Sequence, residues 1–169
     1  MSNDLYQASV PQFLRMLGNL KAILEKAAAH AAAKKIDESV FLNARLFPDM
    51  FPLTMQVQIA SDFTRGTAAR LSGSEPPAVE DKEKSFAELI ARVDAAAAFV
   101  RGIPAAKFEG AQDRKITRKV RGVEKTFSGT DYLYQYALPN FYFHTTTTYA
   151  ILRSNGVEVG KGDFLGSFA

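Results

Sequence analysis

PNFYFHTTTTYAILRSNG, residues 139–156, is the stretch whose reading decides the fold. Proline is tolerated in the first turn of a helix, and Asn-Gly supplies a residue able to end one. Between these marks lie aromatic and aliphatic residues, four threonines (Thr145 to Thr148) and His144, one of two histidines in the chain. His144 shares a helix face with Phe141, Thr145, Thr148 and Leu152, so it is expected to be at least partly buried. The threonine run is expected to bond back to helix carbonyls rather than to do chemistry.

Working outward, three more helices are predicted. In the first, from about Ala8 to Lys35, Val10, Phe13, Leu17, Leu20, Leu24, Ala27 and Ala31 form one apolar stripe. A second spans Leu53 to Leu71. A third runs from Ser85 to Arg101, where Ser85 and Glu88 have the spacing of a capping box. The connector from Ile36 to Pro52 holds Phe41, Leu42, Leu46, Phe47, Met50 and Phe51, and is expected to lie across the bundle as a packed lid. Between Arg114 and Phe127 the period becomes alternating, which predicts a hairpin turning at Arg121-Gly122. Thr130 is expected to cap a short turn, and Phe164, Leu165 and Phe168 to fold back onto the helices. The expected fold class is all-α: one domain, residues 1–169, a four-helix bundle with a crossing connection and a small β-hairpin before the last helix.

Composition narrows the chemistry. A chain of 169 residues can bury a sizeable core, and without cysteine it has no disulfide, thiol nucleophile or zinc-thiolate site. That composition fits a reducing cytoplasm, and the polar start MSNDLYQ predicts no secretory signal. No apolar run reaches the ~20 residues of a membrane span, so no membrane partner is expected. The net charge of +3 is uneven: Arg114, Lys115, Arg118, Lys119, Arg121 and Lys125, set against Glu124, carry +5, leaving −2 for the remainder. This basic hairpin makes nucleic-acid contact a second alternative, but without interleaved aromatics it reads better as a solvated outer face. GVEVGKGD, residues 156–163, departs from a phosphate loop in spacing, in Gly162 where Ser or Thr belongs, and in following a helix.

His144 is the candidate catalytic residue, with Asp62 as the carboxylate that would set its tautomer. Gln58, Asp62, His144 and Thr148 form the candidate ligand-binding set, for a small molecule not identified by the sequence. His30, at the end of helix one, reads as a dipole-favoured helix-end residue. No cofactor and no tight transition-metal site are expected, because one imidazole with Asp62 and Gln58 would hold a divalent metal at His144 only weakly.

NARLFPDMFPLTMQVQIASD (residues 43–62), SFAELIARV (85–93) and PNFYFHTTTTYAILRSNGVEVGKGDFLG (139–166) resemble a bacterial family of unknown function within the DinB/YfiT-like superfamily of four-helix bundles. The resemblance implies a bundle with a crossing connection, homodimers, and in many members a divalent metal held by a helix-two histidine and an H-x-x-x-H pair on helix four. Only His144 carries over; Asn140 or Thr148 stands where its partner would be, and helix two has no histidine. The implied function is a small polar pocket around one helix-four histidine in a degenerate relative of metal-dependent thiol transferases. The alternative is a non-catalytic ligand-binding or structural dimer module. A surplus of Phe and Tyr outside the stripes also favours a homodimer.

Overall fold

The computed structural model describes residues 4–167. Four helices carry the architecture: α1 (Asp4–Lys34), α3 (Leu53–Leu71), α4 (Phe86–Arg101) and α6 (Leu138–Ser154). The predicted stripe of α1 is buried throughout, from Val10 to Ala31. Lys35 takes a left-handed φ of 55°, and Ile36 N–H returns to Ala31 O at 2.9 Å, ending the helix. Ser85 caps α4 through a bond from Glu88 N–H at 3.2 Å, whereas the Glu88 carboxylate accepts from Lys84 N–H rather than completing the expected box.

α1 packs chiefly on α4, and α3 packs on both α6 and α4. The α1–α3 connection therefore crosses the bundle, through the short α2 (Glu38–Leu42) capped by Asp37. The lid expectation holds for half of this connector. Phe41 and Leu42 are buried, but Leu46, Phe47 and Phe51 are exposed, because the segment beyond α2 turns away from the core before Leu53 re-enters it.

The hairpin has the predicted register, β1 (Ile116–Val120) against β2 (Val123–Phe127), with Arg121 and Gly122 both at positive φ in the turn. The expected Thr130 cap is corrected: Ser128 caps α5 (Gly129–Asp131), accepting from Asp131 N–H at 3.1 Å. From there the chain runs through a π-helical segment, Tyr132–Ala137, directly into α6, so Pro139 does not begin a separate helix. α7 (Lys161–Leu165) does fold back onto α1: Asn19 donates to Phe164 O at 2.9 Å and Lys26 pairs with Asp163 at 2.6 Å. Phe168 lies outside the described residues.

Candidate functional site

His144 is 8% exposed, as its place on the apolar face of α6 requires. Its partner is neither Asp62 nor Gln58. Nδ1 lies 2.7 Å from Gln56 Oε1, while Gln56 Nε2 donates to Phe51 O at 3.0 Å. That second bond fixes the amide orientation, so the oxygen faces the ring and Nδ1 carries the proton. Phe63 stacks on the imidazole at 6.2 Å between centroids and Phe143 meets it edge-on at 5.2 Å. Burial pushes the His144 pKa below its ordinary value, and the neutral ring suits this environment.

The expected partners failed for a helical reason. Two positions are about 200° apart on a helix, so Gln56 and Gln58 point to opposite sides of α3. Gln58, Asp62 and Arg65 share the side facing α4 and the segment before it. Gln58 Nε2 donates to Glu83 at 2.8 Å. Asp62 Oδ1 accepts from Arg65 and from Arg92, the latter at 2.8 Å. Thr148 bonds back to His144 O at 2.9 Å, and Thr145 and Thr147 likewise bond carbonyls one turn earlier. The candidate set is thus divided between two faces of α3.

Arg92, absent from the sequence reading, organises the second face. Its side chain is 1% exposed and bonds Glu83 at 2.8 Å, Asp81 at 2.7 Å and Glu80 O at 3.1 Å, besides Asp62. Burial would raise the Glu83 pKa, but the bonds from Arg92 and Gln58 outweigh it and hold the carboxyl below its ordinary value. Burial opposes the Arg92 charge, and the bond to Glu83 with the attraction of Asp62 more than restores it. This cluster pins the segment before α4 against α3.

That pinned segment forms one wall of a cavity of about 310 Å³. Ile59, Asp62, Phe63, Arg65, Gly66 and Arg70 line it from α3, Pro76 to Val79 from the pinned segment, Arg118 from β1, and Tyr132 and Tyr136 from the π segment. Phe63 separates this space from His144, which it contacts with its ring. Of the candidate residues, Asp62 alone reaches the cavity.

The superfamily's metal does not fit here. The Nδ1–H bond to Gln56 leaves the His144 Nε2 lone pair as a single donor, while Asn140 donates to Tyr136 O at 2.7 Å and Thr148 is committed to the helix, so the further ligands are missing. Among the described residues, no group of three His, Asp or Glu side chains is placed to hold a metal ion. No described helix is long and apolar enough to cross a membrane.

A ring of four helices with a crossing connection and a hairpin ahead of the last helix defines a DinB-like helical bundle. A crystal structure of a DinB family member from Shewanella denitrificans superposes with a TM-score of 0.91 at 44% identity, covering 97% of this chain and 93% of that one. Residues 5–165 match the family model of a domain of unknown function, DUF1993, and the chain belongs to that family. No curated protein matches the chain.

Proposed function

We propose that this chain is a ligand-binding module that holds a small organic molecule in the cavity between α3, the segment before α4, and the hairpin. The observation that carries the reading is the cavity itself: about 310 Å³, with aromatic walls and convergent polar groups. Ligand sites have this size and mixed character. The candidate acid–base residues favour binding over catalysis. His144 is committed to Gln56 behind Phe63, and Asp62 is an ion-pair partner of two arginines. A thermal-shift screen of chemically varied small molecules tests the reading. Hits should raise the melting temperature of the native protein and be lost when the cavity is filled by Ile59→Trp or Val79→Trp. A screen without hits, or hits indifferent to both substitutions, defeats it.

A second reading, a cytoplasmic homodimer, is favoured by one observation. Phe47 (64% exposed), Phe51 (49%) and Phe143 (55%) present large apolar rings to solvent. Light scattering at micromolar concentration should give twice the monomer mass; a monomer under those conditions removes this reading.

A further inference from the structure

We infer that the ligand of this cavity is a small organic oxyanion, a carboxylate or phosphate carried on a flat apolar body, with Arg70 and Arg118 binding its charged end. The inference rests on the cavity being a ligand site and adds the class of ligand.

Charge is the first argument. Arg65, Arg70 and Arg118 line the cavity with a single carboxylate, Asp62. That carboxylate already pairs with Arg65 and shares the same oxygen with Arg92. Among the described residues Arg70 bonds only the Tyr132 hydroxyl, at 3.3 Å. The Arg118 guanidinium has no hydrogen-bond or ion-pair partner among the described residues, and its Nε is shut away from solvent. An unpartnered buried donor on a charged group is unfavourable, and arginine cannot escape by losing its proton. Two guanidinium groups therefore face one space with no ion-pair partner of their own among the described residues.

Placement is the second argument. Arg118 occupies the inward-facing side of β1 with Ile116 and Val120, between the exposed Thr117 and Lys119. The solvated-ribbon explanation of the basic hairpin therefore does not cover it. Its cross-strand neighbour is Lys125, so the hairpin adds like charge and no compensation. Gly66 lies beneath the Arg70 guanidinium, where a Cβ would collide with Nη1; glycine lets that group lie over α3. The donors thus converge on the cavity from a helix and from the hairpin.

The remaining wall selects the rest of the molecule. Phe63 and Tyr136 lie 5.7 Å apart and Tyr132 and Tyr136 5.9 Å, giving a bank of rings. The π segment sets both tyrosines on the cavity side, and π segments recur at functional sites. Pro76, Pro77 and Val79 bring apolar surface from the pinned segment. At about 30 Å³ per liquid water the space equals roughly ten waters, the scale of a substituted ring with one acidic group.

Calorimetric titration of the full chain with benzoate and phenyl phosphate, each against a neutral isostere (benzamide, benzyl alcohol), tests the class. Inorganic phosphate serves as a third anion. Benzoate or phenyl phosphate should bind at least about tenfold more tightly than its isostere, and phenyl phosphate more tightly than inorganic phosphate. Arg118→Gln and Arg70→Gln should each weaken the anion about tenfold or more, whereas the outward Lys119→Gln should change nothing. Arg118→Lys, which keeps charge but loses the planar fork, should fall between. Melting temperatures of these variants report folding, and Arg118→Gln should not lower that of the unliganded protein. Equal binding of the isosteres, anion binding indifferent to both Gln substitutions, or no anion binding at about 10 mM overturns the inference. Neutral ligands lost on Ile59→Trp would overturn the anion class and leave the cavity reading standing. Binding of any kind that survives Ile59→Trp would remove both.

Discussion

The Nδ1 of His144 and the Oε1 of Gln56 stand 2.7 Å apart, joining the middle of α6 to the first turns of α3. Because Gln56 also bonds Phe51 O, this pair ties the crossing connector to the core. His144 is buried in this position, with one satisfied polar contact. His144→Ala removes the ring between Phe63 and Phe143 and leaves the glutamine oxygen unpaired, so a loss of about 2–4 kcal/mol is expected. Gln56→Ala should cost about 1–3 kcal/mol. Urea denaturation of the two single variants and the double variant should give a coupling energy above about 0.5 kcal/mol. Additive costs would show that the pair is incidental.

The same burial sets a pH dependence. Folding lowers the His144 pKa from an ordinary value of 6.5 through desolvation. Between the depressed folded value and 6.5, the unfolded chain binds more protons than the native one, so native stability falls as pH drops through that window. Below the folded value this contribution is constant, and above 6.5 it is fully present. The melting temperature should therefore decline from pH 7.5 towards pH 5.5, and the decline should be smaller in His144→Phe. An identical pH profile in that variant would count against the assignment.

Arg92 carries the next expectation. Its side chain sits at 1% exposure against Glu83 at 9%. Arg92→Met keeps the volume but leaves Glu83 without its cation, and breaking a buried pair from one side costs about 3–5 kcal/mol. Asp62 and Asp81 are roughly half exposed and can turn to water. Arg92→Met combined with Glu83→Gln should recover part of the loss. The amides of residues 78–83 should also exchange hydrogen faster in the single variant, since Arg92 anchors this segment. Unchanged exchange there would mean that the cavity wall holds without Arg92.

The four helices were legible because each carried a stripe and end signals: Val10 to Ala31 in α1, Ser85 before α4, Gly156 after α6. The hairpin was legible from the alternation of Ile116, Arg118 and Val120. What escaped depended on tertiary placement. Choosing Gln56 over Gln58 for His144 needs the rotation of α3 relative to α6, which periodicity leaves open. Arg92 did carry a signal, an arginine directly beside Val93 and three residues after Leu89 in an apolar stripe. Arg118 carried another, a cation between two inward-facing apolar residues. Both are exceptions to the pattern, and such exceptions mark buried charge. The π segment had no comparable mark, because Pro139 suggests a helix start whether or not helix precedes it.

Gly129 tests how tightly that π segment is seated. It is buried at the start of α5, and a Cβ there would overlap the backbone carbonyl of Ala111. The obstacle is main chain in the 3₁₀ turn Ala111–Asp113, so no side chain can swing aside to make room. Leu71 at the end of α3 closes the other side. Gly129→Ala must push α5 away from that turn, and overpacking of this kind costs about 1–3 kcal/mol, more where backbone is displaced. Tyr132 follows three residues later, so the shift should also disturb the Arg70–Tyr132 contact. The expected result is a lower melting temperature together with weaker binding of whatever occupies the cavity. Gly110→Ala serves as a control: that residue, at φ 68°, has open space around its Cβ position. Its backbone strain should lower the melting temperature without moving Tyr132 or changing binding. Gly129→Ala with native stability would show that the hairpin end of the bundle is more loosely packed than its geometry states.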